Sequence, residues 1–364
     1  MHIHSHSAVI KNQVVENICI KANEGIITVI ASNCSETPES CYEGTLIPGF
    51  VDIHSHGGGG HYFSIPDLEN IVFARNSHMS HGTTTQIASL LTEPIGILTE
   101  QILRLVPLVN AGLFKGIHLE GPYLSEARCG AHEPLFLRTP VIDELSALLD
   151  AGEGTISMVT LAPELEGGIA AIEYLNSRGV TVALGHSQAD AATTVAAIAA
   201  GAQLITHFTN GMPKPSDGNG TITSAALVHP TLPLEIILDG VHVDPEILGK
   251  VRSSFYRRTI LITDAMSAAG APDGDYTIGS LSVVVKNRVA RLTSNNSLAG
   301  STLTMDVAFL NLLKTGASLI DCVDAASTLP AKTLRLNSVG SITVGKRAHL
   351  LQYLPSAGIT VIAS

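Results

Sequence analysis

The alternation of apolar and polar residues changes period near residue 47. Before it, short runs such as Ala8-Val9-Ile10, Asn17-Ile18-Cys19-Ile20-Lys21 and Gly25-Ile26-Ile27-Thr28-Val29-Ile30 are joined by turn residues. That is the pattern of half-buried strands, so residues 1–46 are expected to form a small β-structure. The opening His2-Ile3-His4-Ser5-His6 also alternates and reads as an exposed strand able to chelate a stray metal. From Ile47 onward, apolar runs alternate with stretches of helical periodicity. Strands are expected at 47–56, 83–88, 114–120, 156–161, 180–186, 203–207, 234–239 and 259–264. Helices are expected between them at 66–81, 93–110, 141–151, 166–178 and 189–200.

Eight apolar strands alternating with helices predict an α/β protein with a (β/α)8 TIM-type barrel. Residues 276–291 read as further β-structure, and helices near 302–315 and 319–329 are expected to pack on the barrel. The last residues are again short strands. The terminal segments 1–46 and 335–364 are therefore expected to pair into a small β-sandwich beside a barrel domain of 47–334.

Composition narrows the function. Of 364 residues, 45% are hydrophobic and 15% charged, with mean hydropathy +0.30, which describes a well-buried globular chain. The net charge is −11 and Lys and Arg are scattered, so nucleic acid is not an expected partner. No apolar run is long enough to span a bilayer and no basic-then-apolar leader opens the chain, so no membrane is expected either. Five cysteines, odd in number and without a C-x-x-C pair, suggest a reduced, cytoplasmic protein.

The polar residues of the barrel segment fall at strand ends. His54 and His56, two apart in Asp52-Ile53-His54-Ser55-His56, would share one face of a strand that stops in four glycines. A pair of imidazoles there is either a metal site or two hydrogen-bonded histidines. Glu120, His186, His207 and Asp264 end strands three, five, six and eight, where such a barrel keeps its chemistry. Three imidazole or carboxylate groups with an open position make the ligand count of a catalytic zinc-like site. A carboxylate on strand eight can take a proton from the attacking water and pass it to the leaving group.

These residues sit in motifs that resemble the N-acetylglucosamine-6-phosphate deacetylases of the amidohydrolase superfamily. The resemblance rests on Pro48-Gly49-Phe50-Val51-Asp52, His118-Leu119-Glu120-Gly121-Pro122-Tyr123 and Gly130-Ala131-His132. It continues through Thr160-Leu161-Ala162-Pro163-Glu164, Gly185-His186-Ser187 and His207-Phe208-Thr209-Asn210-Gly211-Met212. Asp239-Gly240-Val241-His242-Val243-Asp244, Thr263-Asp264-Ala265 and Leu298-Ala299-Gly300-Ser301 complete it. The resemblance implies a homodimer that hydrolyses the N-acetyl group of an amino-sugar 6-phosphate with one or two divalent metals, zinc or iron. Glu120, His186 and His207 would hold the principal metal, with His54, His56 and Asp264 lining a second position. Asp264 would be the general base and acid, and His132 or a metal would polarise the acetyl carbonyl. Ala131, His132, Asn210, Gly211 and His242 would meet the substrate.

Two departures from the family pattern bear on the reaction. No lysine lies between Gly152 and Pro213, so a carboxylated lysine from strand four cannot bridge two metals and Glu120 must supply any bridge. The arginine that the family places near Gly218 to grip the phosphate is missing, and Lys214 is a point-charge substitute. The readings kept beside the first are N-acetylgalactosamine 6-phosphate or an unphosphorylated sugar as substrate, a cyclic amide hydrolase, and an inactive sugar-binding barrel.

Overall fold

A computed structural model describes residues 1–214, 217, 218, 220–250 and 256–363. Seven parallel strands form one curled sheet in the order Thr259–Ile262, Leu234–Ile237, Leu204–Ile205, Thr181–Leu184, Ile156–Leu161, Ile117–Glu120 and Ala88–Leu90. The run expected as strand two is broken at Ile87, and its first half, Thr83–Gln86, pairs with Phe50–Asp52. Strand eight then meets strand one. The Thr263 hydroxyl donates to Asp52 Oδ2 at 2.6 Å, and the His56 N–H donates to the Ala265 carbonyl at 2.9 Å. The sheet is thus a closed eight-stranded barrel, as the alternating pattern predicts.

The strands are near-continuous apolar runs because both faces are covered, and Ile117–Glu120, Thr181–Leu184 and Thr259–Ile262 are buried throughout. Outer helices bury one stripe each. Helix Ile95–Asn110 buries Leu98, Gln101, Ile102, Leu105 and Val106, spaced three and four apart. Helix starts follow local chemistry: Asp67 accepts from the Glu69 and Asn70 N–H groups, and Asp190 accepts from Thr193. Under the barrel, helix Met305–Lys314 brings Phe309 to 5.2 Å from the fully buried Phe50 ring.

The two termini build one small β unit, as a single six-stranded sheet rather than two packed sheets. Its order is Gly358–Ala363, Leu350–Leu354, Ser40–Pro48, His2–Ile10, Gln13–Asn23 and Ile26–Ser32. Its own core gathers Ile3, Ile18, Ile20, Ile27, Leu46 and Leu350. The expected β interlude is a three-stranded meander, Gly274–Ile278, Leu281–Lys286 and Val289–Leu292. No helix among the described residues is long and apolar enough to cross a membrane.

One expectation from composition fails. Cys19 and Cys34, 15 residues apart, are joined as a disulfide, so the all-reduced reading does not describe this pair. Antiparallel pairing of Gln13–Asn23 with Ile26–Ser32 returns the chain beside its start, with the Asn33 N–H donating to Asn17 O at 2.7 Å. Strand pairing, and not sequence spacing, brings the two sulfurs together. Cys41, Cys129 and Cys322 remain free thiols.

Candidate active site and metal centre

The residues at the C-terminal strand ends converge on one cavity of about 260 Å³. Its lining includes His56, Glu120, His132, His186, His207 and Asp264. Strand one ends earlier than its sequence suggests, at Asp52, so His54 and His56 lie in the extended segment that follows. They still converge, with their Nε2 atoms 3.2 Å apart. His186, His207 and Asp264 each sit just past a strand with positive φ, at 47°, 24° and 46°. Such left-handed backbone costs about 1–2 kcal/mol for a residue other than glycine, and it recurs here at the three positions where a strand must turn its side chain into the barrel mouth.

Glu120 is the hub. Its Oε1 lies 3.0 Å from His207 Nε2 and 3.2 Å from His186 Nε2, and its Oε2 lies 3.1 Å from His56 Nε2 and 3.4 Å from His132 Nε2. The opposite ring atoms are already engaged. His186 Nδ1 donates to the Arg128 carbonyl at 2.7 Å, and His207 Nδ1 donates to the Asn210 carbonyl at 3.1 Å. Carbonyls only accept, so each Nδ1 carries a proton, which in the neutral tautomer leaves Nε2 bare. Those two Nε2 atoms face one another at 3.0 Å, beside a carboxylate oxygen. Lone pairs and an anion packed this closely repel unless a cation sits among them, and imidazole and carboxylate are donors suited to a divalent transition metal. The residues therefore fit a metal.

A second donor set adjoins the first. His54, His56, Glu120 and Asp264 place one ligand atom each within 4.8 Å of one another, all buried. Glu120, His132 and His186 form another such group. Burial alone would raise the Glu120 pKa, yet charge on His54 and the imidazoles of His132, His186 and His207 packed against the carboxylate hold it well below the ordinary range. For Asp264 the burial effect is likewise outweighed, by His54 and His56, and its pKa is lowered. Burial opposes charge on His54, but Glu120 and Asp264 raise its pKa well above the usual value. An imidazolium and a divalent cation answer the same carboxylates, so metal uptake here releases protons.

The expected substrate residues divide. Ala131, His132, Asn210, Gly211 and His242 all line the cavity. His132 is buried with its pKa pushed down to about 4, mainly by desolvation, so it is neutral near pH 7. Asp239 accepts from the His242 N–H at 2.9 Å and from its Nδ1 at 2.7 Å, fixing ring and loop together. Lys214 stands apart. It is exposed, its Nζ lies 3.1 Å from Asp244, and it does not line the cavity. Gly218 is described, but Pro215, Ser216 and Asn219 of the same loop lie outside the described residues.

Other residues of the site carry no local signal. Glu235 is fully buried on the seventh strand, and its Oε2 accepts from His54 Nδ1 at 3.1 Å and from the His207 N–H at 3.3 Å. A charged residue inside an otherwise apolar strand, Leu234–Ile237, was the only hint. Leu91, Ile278, Ser297 and Leu298 also line the cavity, the last three from the meander and the turn after it.

A closed barrel with ligand-type histidines and carboxylates at its C-terminal mouth is the architecture of metal-dependent hydrolases. The chain belongs to the amidohydrolase family, whose model matches residues 45–354. Within it, the chain is 34% identical over 312 residues to the N-acetylglucosamine-6-phosphate deacetylase of Vibrio furnissii, covering 84% of this chain and 78% of that protein. It is 35% identical over 313 residues to the N-acetylgalactosamine-6-phosphate deacetylase of Escherichia coli O157:H7, covering 84% and 82%. The structure is similar to a mutant N-acetyl-D-glucosamine-6-phosphate deacetylase from Mycobacterium smegmatis in complex with N-acetyl-D-glucosamine-6-phosphate. That match has a TM-score of 0.95 and 36% identity over 100% of this chain and 97% of the other.

Proposed function

We propose that this protein is a metal-dependent deacetylase that hydrolyses N-acetylglucosamine 6-phosphate to glucosamine 6-phosphate and acetate. The observation that carries the reading is the pair of bare Nε2 atoms of His186 and His207, 3.0 Å apart beside Glu120. Glu120, His186 and His207 would hold the principal metal, and His54, His56 and Asp264 a second position. Bound there, zinc or iron supplies a Lewis acid for the acetyl carbonyl and lowers the pKa of water.

The chain's own groups do the rest. Asp264, held ionised, takes the proton of the attacking water. It then delivers that proton to the amide nitrogen, because an amine leaves poorly until protonated. His132, neutral beside Glu120, stands where it can hydrogen-bond the oxygen on which charge develops. His242, held by Asp239, faces the sugar together with Asn210 and Gly211. The cavity lining holds no lysine or arginine among the described residues, which supports a phosphate contact contributed by a second copy in a homodimer. A phosphorylated sugar does not cross membranes unaided, which supports a cytoplasmic setting.

Similarity to a deacetylase of the galacto sugar at 35% identity favours N-acetylgalactosamine 6-phosphate as the second reading. Acetate release from both 6-phosphates and both unphosphorylated sugars, with and without metal removal, tests the proposal. Metal-dependent turnover of the gluco phosphate is expected to exceed the others. Turnover that survives complete metal removal would refute it, and so would turnover of neither phosphate.

A further inference from the structure

A second constellation of metal-ligating atoms lies outside the barrel. His2 begins the first strand of the terminal sheet, and its Nε2 is 3.0 Å from Cys19 Sγ. Register explains the meeting: Cys19 lies opposite His4, so His2 reaches it from one pleat further along the same face. Cys34 arrives from the segment after Ile26–Ser32, with its Cα 5.1 Å from that of Cys19. One donor atom from each of His2, Cys19 and Cys34 falls within 4.8 Å of the other two. The site is neither sealed nor open, with Cys19 buried and His2 and Cys34 half-buried. The active-site donors are imidazoles and carboxylates, whereas this set is sulfur-rich.

We propose that His2, Cys19 and Cys34 form a peripheral site for a thiophilic cation of the zinc type, gated by the Cys19–Cys34 disulfide. In the oxidised state the sulfurs are bonded to each other and the site is closed. A dithiol reductant opens it. The reductant gives up two electrons and two protons and becomes a disulfide, while Cys19 and Cys34 become thiols. Zinc then displaces the two thiol protons to solvent, and two thiolates neutralise its charge. Tetrahedral zinc with Zn–S near 2.3 Å and Zn–N near 2.0 Å needs S···S of about 3.8 Å and N···S of about 3.5 Å. The adjustment falls on Cys34, whose segment lies beyond the last paired residues of its strand. The fourth position goes to water or to Glu36, two residues past Cys34 and 2.7 Å from Lys21 Nζ. Thiolate with imidazole selects zinc over the hard cations.

The full-length protein tests this, because the site is separate from the catalytic donors. After reduction with a phosphine and removal of the reductant, wild type is expected to bind one zinc equivalent more than the Cys19→Ser/Cys34→Ser variant. Cobalt is expected to give a near-ultraviolet thiolate charge-transfer band in wild type alone. His2→Ala should weaken that extra site by at least about tenfold, the loss that even an outer partner of a ligand brings. Deacetylation should be unchanged in all three forms. Equal zinc in wild type and double variant, no thiolate band, or an equal extra equivalent in the oxidised protein would overturn the proposal. Should the double variant fold poorly, wild type alone decides. Zinc must slow alkylation of Cys19 and Cys34 while leaving the exposed Cys41 reactive, and equal alkylation with and without zinc sinks the idea.

Discussion

Replacing Glu235 by Leu separates metal binding from folding. In the native protein the carboxylate is fully buried, and its Oε2 accepts from His54 Nδ1 at 3.1 Å. Because a carboxylate accepts, Nδ1 keeps its proton, so when a metal displaces the other proton it is His54 Nε2 that is freed to ligate, 3.5 Å from both Glu120 and Asp264. The hydrogen bond, made to a charged group, contributes about 1.5–3 kcal/mol, and its loss leaves His54 Nδ1 and the His207 N–H without their carboxylate acceptor. Against that, Glu235 Oε1 has no hydrogen-bond partner among the described residues, and removing a buried, half-satisfied carboxylate returns several kcal/mol of desolvation. The two terms nearly cancel for folding, so the melting temperature of the metal-free protein should move little. They do not cancel for the metal. His54 loses the partner that fixes its tautomer, and losses of this kind weaken metal affinity about 10–100-fold, or about 1.4–2.7 kcal/mol. Chelator competition followed by elemental analysis reads the affinity, and a thermal melt of the stripped protein reads the fold. Glu235→Gln keeps an acceptor oxygen and should recover most of the affinity. A well-folded Glu235→Leu protein with wild-type metal affinity and stoichiometry would refute the reasoning.

Three further outcomes are expected. Asp264→Asn keeps shape but cannot shuttle a proton, so kcat should fall by about 10²–10⁴-fold with KM little changed, and near wild-type turnover would exclude its role. Gly211→Ala adds a Cβ 2.7 Å from His186 Nδ1 at a backbone φ of 59°, forcing the ring aside. A displacement approaching 1 Å should lower kcat/KM by about 10²-fold and reduce metal content, and an unchanged kcat/KM would show that the ring tolerates it. His78, buried and donating from Nε2 to the Gly57 carbonyl, has its pKa lowered from 6.5 to about 4 by desolvation. The unfolded chain therefore binds the extra proton between those values, and stability present above pH 6.5 is lost as pH falls towards 4. By pH 5 the loss should reach about 2 kcal/mol in denaturant unfolding, and His78→Gln should lose correspondingly less; parallel pH curves for the two proteins would contradict this.

The sequence alone determined the barrel and most of its mouth. Strands buried on both faces must be apolar runs, and helices covering them must be apolar on one stripe, so residues 156–161 are a strand both by pattern and in the structure. Ligand-type residues stand out in such runs because a charge there has to be justified by chemistry, which made Glu120, His186, His207 and Asp264 visible. Contacts between distant segments were decided only by the tertiary structure. Barrel closure through Asp52 and Thr263 joins residues 211 positions apart, and Glu235 meets His54 across 181. The meander's share of the cavity and the exclusion of Lys214 from it depend on how loops fold over the barrel mouth. The Cys19–Cys34 pair depends on strand register within the terminal sheet. Periodicity reports which face of a segment is buried, but it carries no information about which remote segment covers that face, and the partners of Glu235 and Cys19 are set by that choice.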